Sequence, residues 1–202
     1  MNKIIAAALL AAPLMALAEP ANLVVNGSFE TTVVGNGSWT IVNSLSGWTT
    51  GNGGVELRHN AVGTALDGQN FAELDTTGNS SISQNINTVA GQWYSLSFYY
   101  SNRIDVAQAS NGLGWSFGAA SGSTITPAQI SGDHQWQLFT TQVLGTGAPM
   151  TLTFTALGNS DSLGTSLDKI SVSAVPEPQT YALMLAGLAA MGFVAKRRKQ
   201  QR

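Results

Sequence analysis

Hydrophobic and polar positions follow two patterns along the 202 residues. At each end apolar residues run together. Between the ends they alternate with polar ones in short stretches broken by Gly, Asn and Ser. Residues 93–103 alternate most clearly. Tyr94, Leu96, Phe98 and Tyr100 fall on one face, and Ser95, Ser97, Tyr99 and Ser101 on the other, as a half-buried strand requires. Residues 150–156 repeat the pattern, with Leu152, Phe154 and Ala156 inward and Thr151, Thr153 and Thr155 outward. Further strands are predicted at 23–25, 38–42, 55–59, 71–74, 81–86, 114–117, 135–144 and 167–172. About ten short strands with turn signals between them, and no long amphipathic helix, predict one all-β domain over residues 19–174. Its expected architecture is a two-sheet antiparallel sandwich.

The two apolar ends read as addresses. In residues 1–18, Lys3 precedes an apolar stretch over 4–17, and Ala16-Leu17-Ala18 supplies a small-x-small cleavage site before Glu19. This is the three-part pattern of a secretory signal peptide. Residues 175–202 begin with Val175-Pro176-Glu177-Pro178, continue as an apolar helix over 181–195, and end in a basic tail over 196–202. The apolar run rises about 22 Å as a helix, against a hydrocarbon core of about 30 Å. The positive-inside rule keeps the basic end cytoplasmic and the domain outside. The physics alone therefore gives a marginal, oriented C-terminal membrane anchor.

The order Pro176-Glu177-Pro178, short Gly-containing apolar helix, Arg-rich end closely resembles the PEP-CTERM sorting signal of Gram-negative bacteria. The resemblance implies processing near Pro176, Glu177 and Pro178 by an exosortase-type transpeptidase, with loss of the tail. It also implies a transient stay in the inner membrane and a final place in the cell envelope or extracellular matrix. The setting it suggests is exopolysaccharide and biofilm production.

Charge narrows the function of the middle. Only 10% of residues are charged. Residues 22–174 hold nine acids and three bases, while five of the chain's nine basic residues lie in the last seven. A nucleic-acid surface needs clustered Lys and Arg to displace counterions, which this middle lacks. Anionic polymers are poor ligands for the same reason; neutral sugars and divalent cations fit. With no cysteine, disulfide scaffolds and thiolate chemistry are excluded.

In the last predicted strand, alternation places Asp168 on the same face as Ile170 and Val172. A carboxylate facing a core is costly unless paired, hydrogen-bonded or metal-bound. Calcium would resolve the cost, and so would a cap at the sheet rim bonded to backbone N–H groups. Several landmarks resemble galactose-binding-like jelly-roll domains and carbohydrate-binding modules. They are Asn22-Leu23-Val24-Val25-Asn26-Gly27-Ser28-Phe29-Glu30, Gly47-Trp48, Gly68-Gln69-Asn70-Phe71-Ala72-Glu73-Leu74-Asp75, Gly91-Gln92-Trp93-Tyr94 and the closing Leu167-Asp168-Lys169-Ile170. They occur in order across nearly all of residues 22–173. The resemblance implies a jelly roll and a structural calcium held by Glu30 and Asp168.

Catalytic patterns are thin. His59 and His134 lack a Gly-x-Ser-x-Gly elbow or metal-ligand spacing, and His134 in Gly132-Asp133-His134 reads as a solvated loop. Glu73 and Asp75 share a strand face and are the best pair for glycoside hydrolysis, but they fit better a sheet-rim pair that bonds backbone or helps hold a cation. For sugar binding, flat aromatic rings supply stacking platforms. Trp48 and Trp136 read as core anchors; Tyr99 on the polar strand face, nearby Arg103, and Trp115, where the Gly112-Leu113-Gly114-Trp115 loop enters the strand predicted over 114–117, read as ligand-binding residues. The expected function is non-catalytic glycan or exopolysaccharide binding. A purely structural matrix or adhesion protein is the alternative, with a polysaccharide hydrolase behind it.

Overall fold

The structure, a computed structural model, describes residues 20–124, 132–176 and 178–200. The predicted signal peptide lies outside the described residues. Eleven strands are described: β1 (Ser38–Val42), β2 (Thr49–Thr50), β3 (Val55–His59), β4 (Phe71–Glu73), β5 (Ser81–Asn87), β6 (Trp93–Ser101), β7 (Leu113–Phe117), β8 (Ala120–Thr124), β9 (Gln137–Leu144), β10 (Pro149–Ala156) and β11 (Ser166–Ala174). A helix, α1 (Pro178–Gln200), follows and extends beyond the apolar run at both ends. Among the described residues, no helix is long and apolar enough to cross a membrane.

The strands form two antiparallel sheets, ordered β1-β3-β4-β11-β6-β9 and β2-β5-β10-β7-β8. This is the expected jelly-roll sandwich. Alternation drives its assembly, because each strand offers one apolar face and the two faces close on each other. Leu57, Leu96, Phe98, Leu167 and Val172 from the first sheet meet Ile82, Phe117, Leu152 and Phe154 from the second, all fully buried. Each such side chain contributes about 1.5–3 kcal/mol by leaving water.

Residues 23–25 do not form the predicted strand. They run beside β11, with rungs at Leu23 N to Val172 O (2.8 Å) and Ile170 N to Gly27 O (2.9 Å). Side-chain amides replace the remaining ladder. Asn22 Oδ1 accepts from Val172 N at 3.0 Å. On the other side Gln84 Oε1 accepts from Val25 N, while its Nε2 donates to Val25 O and Gly47 O. This segment thereby closes the seam between the sheets. A Cβ at Gly27 would run into the Ile170 carbonyl oxygen, so the close approach requires glycine.

The alternation in β11 breaks once. Its register against β6 shifts between Asp168 and Ser171, and Lys169 takes a left-handed φ of 50°. The bulge lets Leu167, Ile170 and Val172 all face the core. Asp168 therefore does not share a face with Ile170 and Val172, contrary to the strict period-two reading; its carboxyl lies on the outward side.

Candidate functional site

The outward face of the six-stranded sheet falls into cross-strand rows. Ser173, Ser95 and Gln142 form one, and Ser171, Ser97 and Thr140 the next. Trp93 paired with Leu144 borders them on one side; Asp168, Tyr99 and Leu138 border them on the other. The result is two rows of hydroxyl and amide groups between two rows bearing an aromatic ring. Trp93 and Tyr99 are six residues apart on β6, about 20 Å at strand rise. Trp93 is 49% exposed, and Tyr99 is half-buried.

Beyond Tyr99 the same face is roofed by residues 61–68 and 133–136. Asp133 accepts from Thr64 N (2.8 Å) and Thr64 Oγ1 (2.6 Å). Those bonds, the Thr64 hydroxyl first, hold the Asp133 carboxyl below its usual range. Trp136 Nε1 donates to Thr64 O, and His134 bridges Thr64 O to Ser166 Oγ at 3.0 Å on each side. His134 also sets its ring edge-on against Phe71, at 4.7 Å between centroids. It is thus a packed part of the roof rather than a solvated loop residue, and its burial lowers its pKa. Trp136 sits half-buried in this roof, 6.0 Å from Phe71, and not in the sandwich core.

Under the roof lies a buried charge network. Glu56 on β3 stands opposite Glu73 on β4. Arg58 pairs with Glu56 and, at 3.4 Å, with Glu73; Arg103 reaches Glu73 at 3.1 Å. Glu73 Oε1 also accepts from Gly164 N, and Asp75 Oδ2 from Asp161 N and Leu163 N. Burial pushes the Glu73 carboxyl up to about 7 against the opposing pull of Arg58 and Arg103. It raises Glu56 as well. Glu73 and Asp75 therefore bind backbone at the sheet rim, one of the two roles their spacing suggested.

Of the sequence-predicted ligand residues, Tyr99 is on the outward face. Arg103 is committed to Glu73 and to Ser162 O (2.9 Å). Trp115 is not on a loop. The strand β7 starts at Leu113, which turns Trp115 inward to 9% exposure against Phe139. Its assignment to a sugar site is corrected to the core. Trp93 was missed as a platform because it opens the strand that defined the inward pattern; its place on the Tyr99 side of the alternation was the available signal.

Glu30 and Asp168 do converge, on the loop over 66–70. Asp168 Oδ2 accepts from Leu66 N (2.8 Å) and Asp67 N (3.0 Å), and its Oδ1 from Lys169 N. Glu30 Oε1 accepts from Gln69 N (2.9 Å) and Asn70 N (2.7 Å). Burial raises the Asp168 carboxyl to about 7, opposed by those amides. Calcium needs oxygen ligands around it; here N–H groups face the carboxyls, so the donor set as arranged does not fit the ion. Among the described residues, no three His, Cys, Asp or Glu side chains converge as metal ligands.

A separate open groove of about 450 Å³ lies at the edge of the five-stranded sheet, lined by Leu23, Val25, Gly47 and residues 84–87, without an aromatic ring. At the tail, Pro176 is exposed, Glu177 lies outside the described residues, and Pro178 begins α1.

Residues 22–173 match the family described as Protein of unknown function (DUF642). The chain belongs to that family. Residues 174–199 carry the PEP-CTERM protein-sorting motif, which begins on the last residue of β11. Among solved structures, the DUF642 domain is similar to TmCBM61 in complex with β-1,4-galactotriose. The two are 16% identical with a TM-score of 0.50, over 77% of this chain and 99% of that one. It is also similar to arabinose-bound MgGH51 α-L-arabinofuranosidase (12% identity, TM-score 0.52, 76% of this chain and 26% of that one). A third similarity is to the enzymatically active domain of Bacteriophage CBA120 tailspike protein 4 (16% identity, TM-score 0.50, 76% and 21%). These likenesses are of fold: a carbohydrate-binding-module-like jelly roll. No curated protein matches the chain by sequence.

Proposed function

We propose that this chain is an exported, non-catalytic protein of the cell envelope that binds neutral glycan on the outward face of its six-stranded sheet. The observation carrying this reading is the pair of aromatic rows, at Trp93 and Tyr99, that flank two rows of uncharged hydroxyl and amide groups. Sugar rings stack their C–H faces on such rings, and their hydroxyls exchange hydrogen bonds with Ser, Thr and Gln. A hydrolase reading draws no support from Glu56 and Glu73. Both are buried under the roof and tied to Arg58 and Arg103, whereas acid catalysis needs carboxyls open to substrate.

The sorting motif supports export and processing by an exosortase-type transpeptidase at the cell envelope. Exopolysaccharide of the surrounding matrix is the partner this reading favours. For Glu30 and Asp168 it favours loop capping over calcium. Titration calorimetry with β-1,4-galactotriose and a panel of neutral oligosaccharides tests the proposal. Saturable binding that weakens in both Trp93→Ala and Tyr99→Ala supports it; no binding across the panel, or binding unchanged in both variants, overturns it.

A further inference from the structure

The sorting motif and the folded domain overlap. The motif begins at Ala174, the last residue of β11, and the sheet does not end there. Val175 N donates to Trp93 O at 2.8 Å, adding one more rung between β11 and β6. Gln92 Nε2 then donates to Val175 O at 2.7 Å and to Trp93 O at 3.0 Å. The next residue, Pro176, has no N–H to donate, so the ladder stops for a covalent reason. Gln92 is itself fixed by a turn: its N–H donates to Val89 O at 3.2 Å, and its carbonyl accepts from Gly145 N at 2.7 Å.

We propose that Gln92 is a positioning residue for processing. By clamping Val175 to the end of β6, it confines cleavage of the tail to bonds beyond Val175. The inference rests on the proposed processing of the motif and adds to it where the cut can fall and what sets that limit. An enzyme that cleaves a chain must hold the residues before the scissile bond. Ala174 and Val175 are already paired into the sheet, so they are not free to pair with an enzyme. The amide C–N bond that breaks therefore lies beyond Val175. Its acyl carbon passes to the processing enzyme's nucleophile, and its amine leaves with the tail, carrying a proton. The limit matters because β11 is a central strand, flanked by β4 and β6, and its Leu167, Ile170 and Val172 are core residues. Cleavage that strayed upstream would open the sandwich.

Two measurements on the full chain test this. The first is hydrogen exchange at the Val175 amide, which does not depend on processing. Wild type should show protection that falls about fivefold in Gln92→Ala, the equivalent of one hydrogen bond at about 1 kcal/mol. Gln92→Lys, which keeps an N–H donor on a long side chain, should restore it. The melting temperature of each variant confirms that the sandwich is intact. The second is the intact mass of the protein recovered from its native envelope. Wild type should give one C-terminus at or beyond Pro176, and Gln92→Ala a mixture reaching Val175 and Ala174. An intact Arg202 in wild type would overturn the processing reading itself. A processed wild-type terminus at or upstream of Val175 would overturn only the clamp, as would an Ala variant with unchanged protection and the same single terminus.

Discussion

The Asp168 carboxyl accepts the backbone N–H of Leu66 at 2.8 Å, joining the last strand to a loop 102 positions away in sequence. The same carboxyl serves Asp67 and Lys169, so three amides depend on it. Gly68, with a φ of 75° and no room for a Cβ beside the Glu30 carboxyl, lets that loop turn between the two acids. Asp168→Ala should destabilise the domain by about 3 kcal/mol, since each buried donor left without an acceptor costs about 1–3 kcal/mol. A chelator such as EGTA should leave the wild-type melting curve unmoved. If EGTA lowers the wild-type melting temperature and has no effect on Asp168→Ala, the carboxyl holds a metal and the capping role is wrong.

Acidification should stabilise the fold. Glu73 and Asp168 have carboxyls raised to about 7 from ordinary values of 4.5 and 3.8, chiefly by burial. The folded state therefore binds their protons more tightly than the unfolded chain does. Their contribution is complete at acid pH and is lost as pH rises from about 4 to about 7. Glu56, raised in the same direction, adds to the trend. His134 opposes it, because its lowered pKa makes protonation below about 6.5 a cost to the folded state. Three carboxyls outweigh one imidazole, so thermal melting should occur at higher temperature at pH 5 than at pH 8. Glu73→Gln should shrink the difference. A higher melting temperature at pH 8 would mean that the ion pairs, not burial, govern these carboxyls.

Arg58 is the cation on which both Glu56 and Glu73 depend. Arg58→Ala should destabilise by about 3–5 kcal/mol at pH 8, where removal of one partner leaves buried carboxylates uncompensated. The loss should be smaller at pH 5, where the carboxyls are protonated. Denaturant melts at the two pH values check this; equal losses would mean that packing of the Arg58 side chain, not its charge, is what the network needs.

These tests probe features of uneven legibility. The strands at 38–42 and 55–59 were readable to the residue, because β-prone residues fill them and turns bound them. Two were not. Thr49–Thr50 is too short to show a period, and the polar Ala120–Thr124 pairs at an edge where little apolar surface is buried. The β11 bulge was hidden because nothing in Leu167-Asp168-Lys169-Ile170 announces a left-handed lysine. Asp168 was thus singled out for a mistaken reason and still proved pivotal. The acids Glu73 and Asp75 were visible as a pair, but Arg58 and Arg103 reach Glu73 only through strand order, which local patterns do not carry. The same limit applied to Trp115: its Gly-flanked setting looks like a loop until β8 and β10 pair on either side of β7.

Tryptophan and tyrosine substitutions should separate core from surface. Trp115→Ala removes a large side chain packed against Phe139 and should cost about 3–5 kcal/mol through the cavity it leaves. Tyr99→Ala and Trp93→Ala remove outward rings and should leave the melting temperature nearly unchanged. Each should weaken glycan affinity about fivefold, the scale of one exposed aromatic contact at about 1 kcal/mol. The two surface losses should add when combined, since the rings are about 20 Å apart along β6 and share no partner. Calorimetry with each single variant and the double variant reads both effects. Additivity would mean that one ligand chain spans both rows, contacting each ring independently. A double variant no weaker than the more affected single one would instead place the ligand against one row, and the hydroxyl rows between them would lose their role. Should Trp115→Ala retain full stability, the inward placement of that ring, and with it the pairing of β7 between β8 and β10, would be wrong.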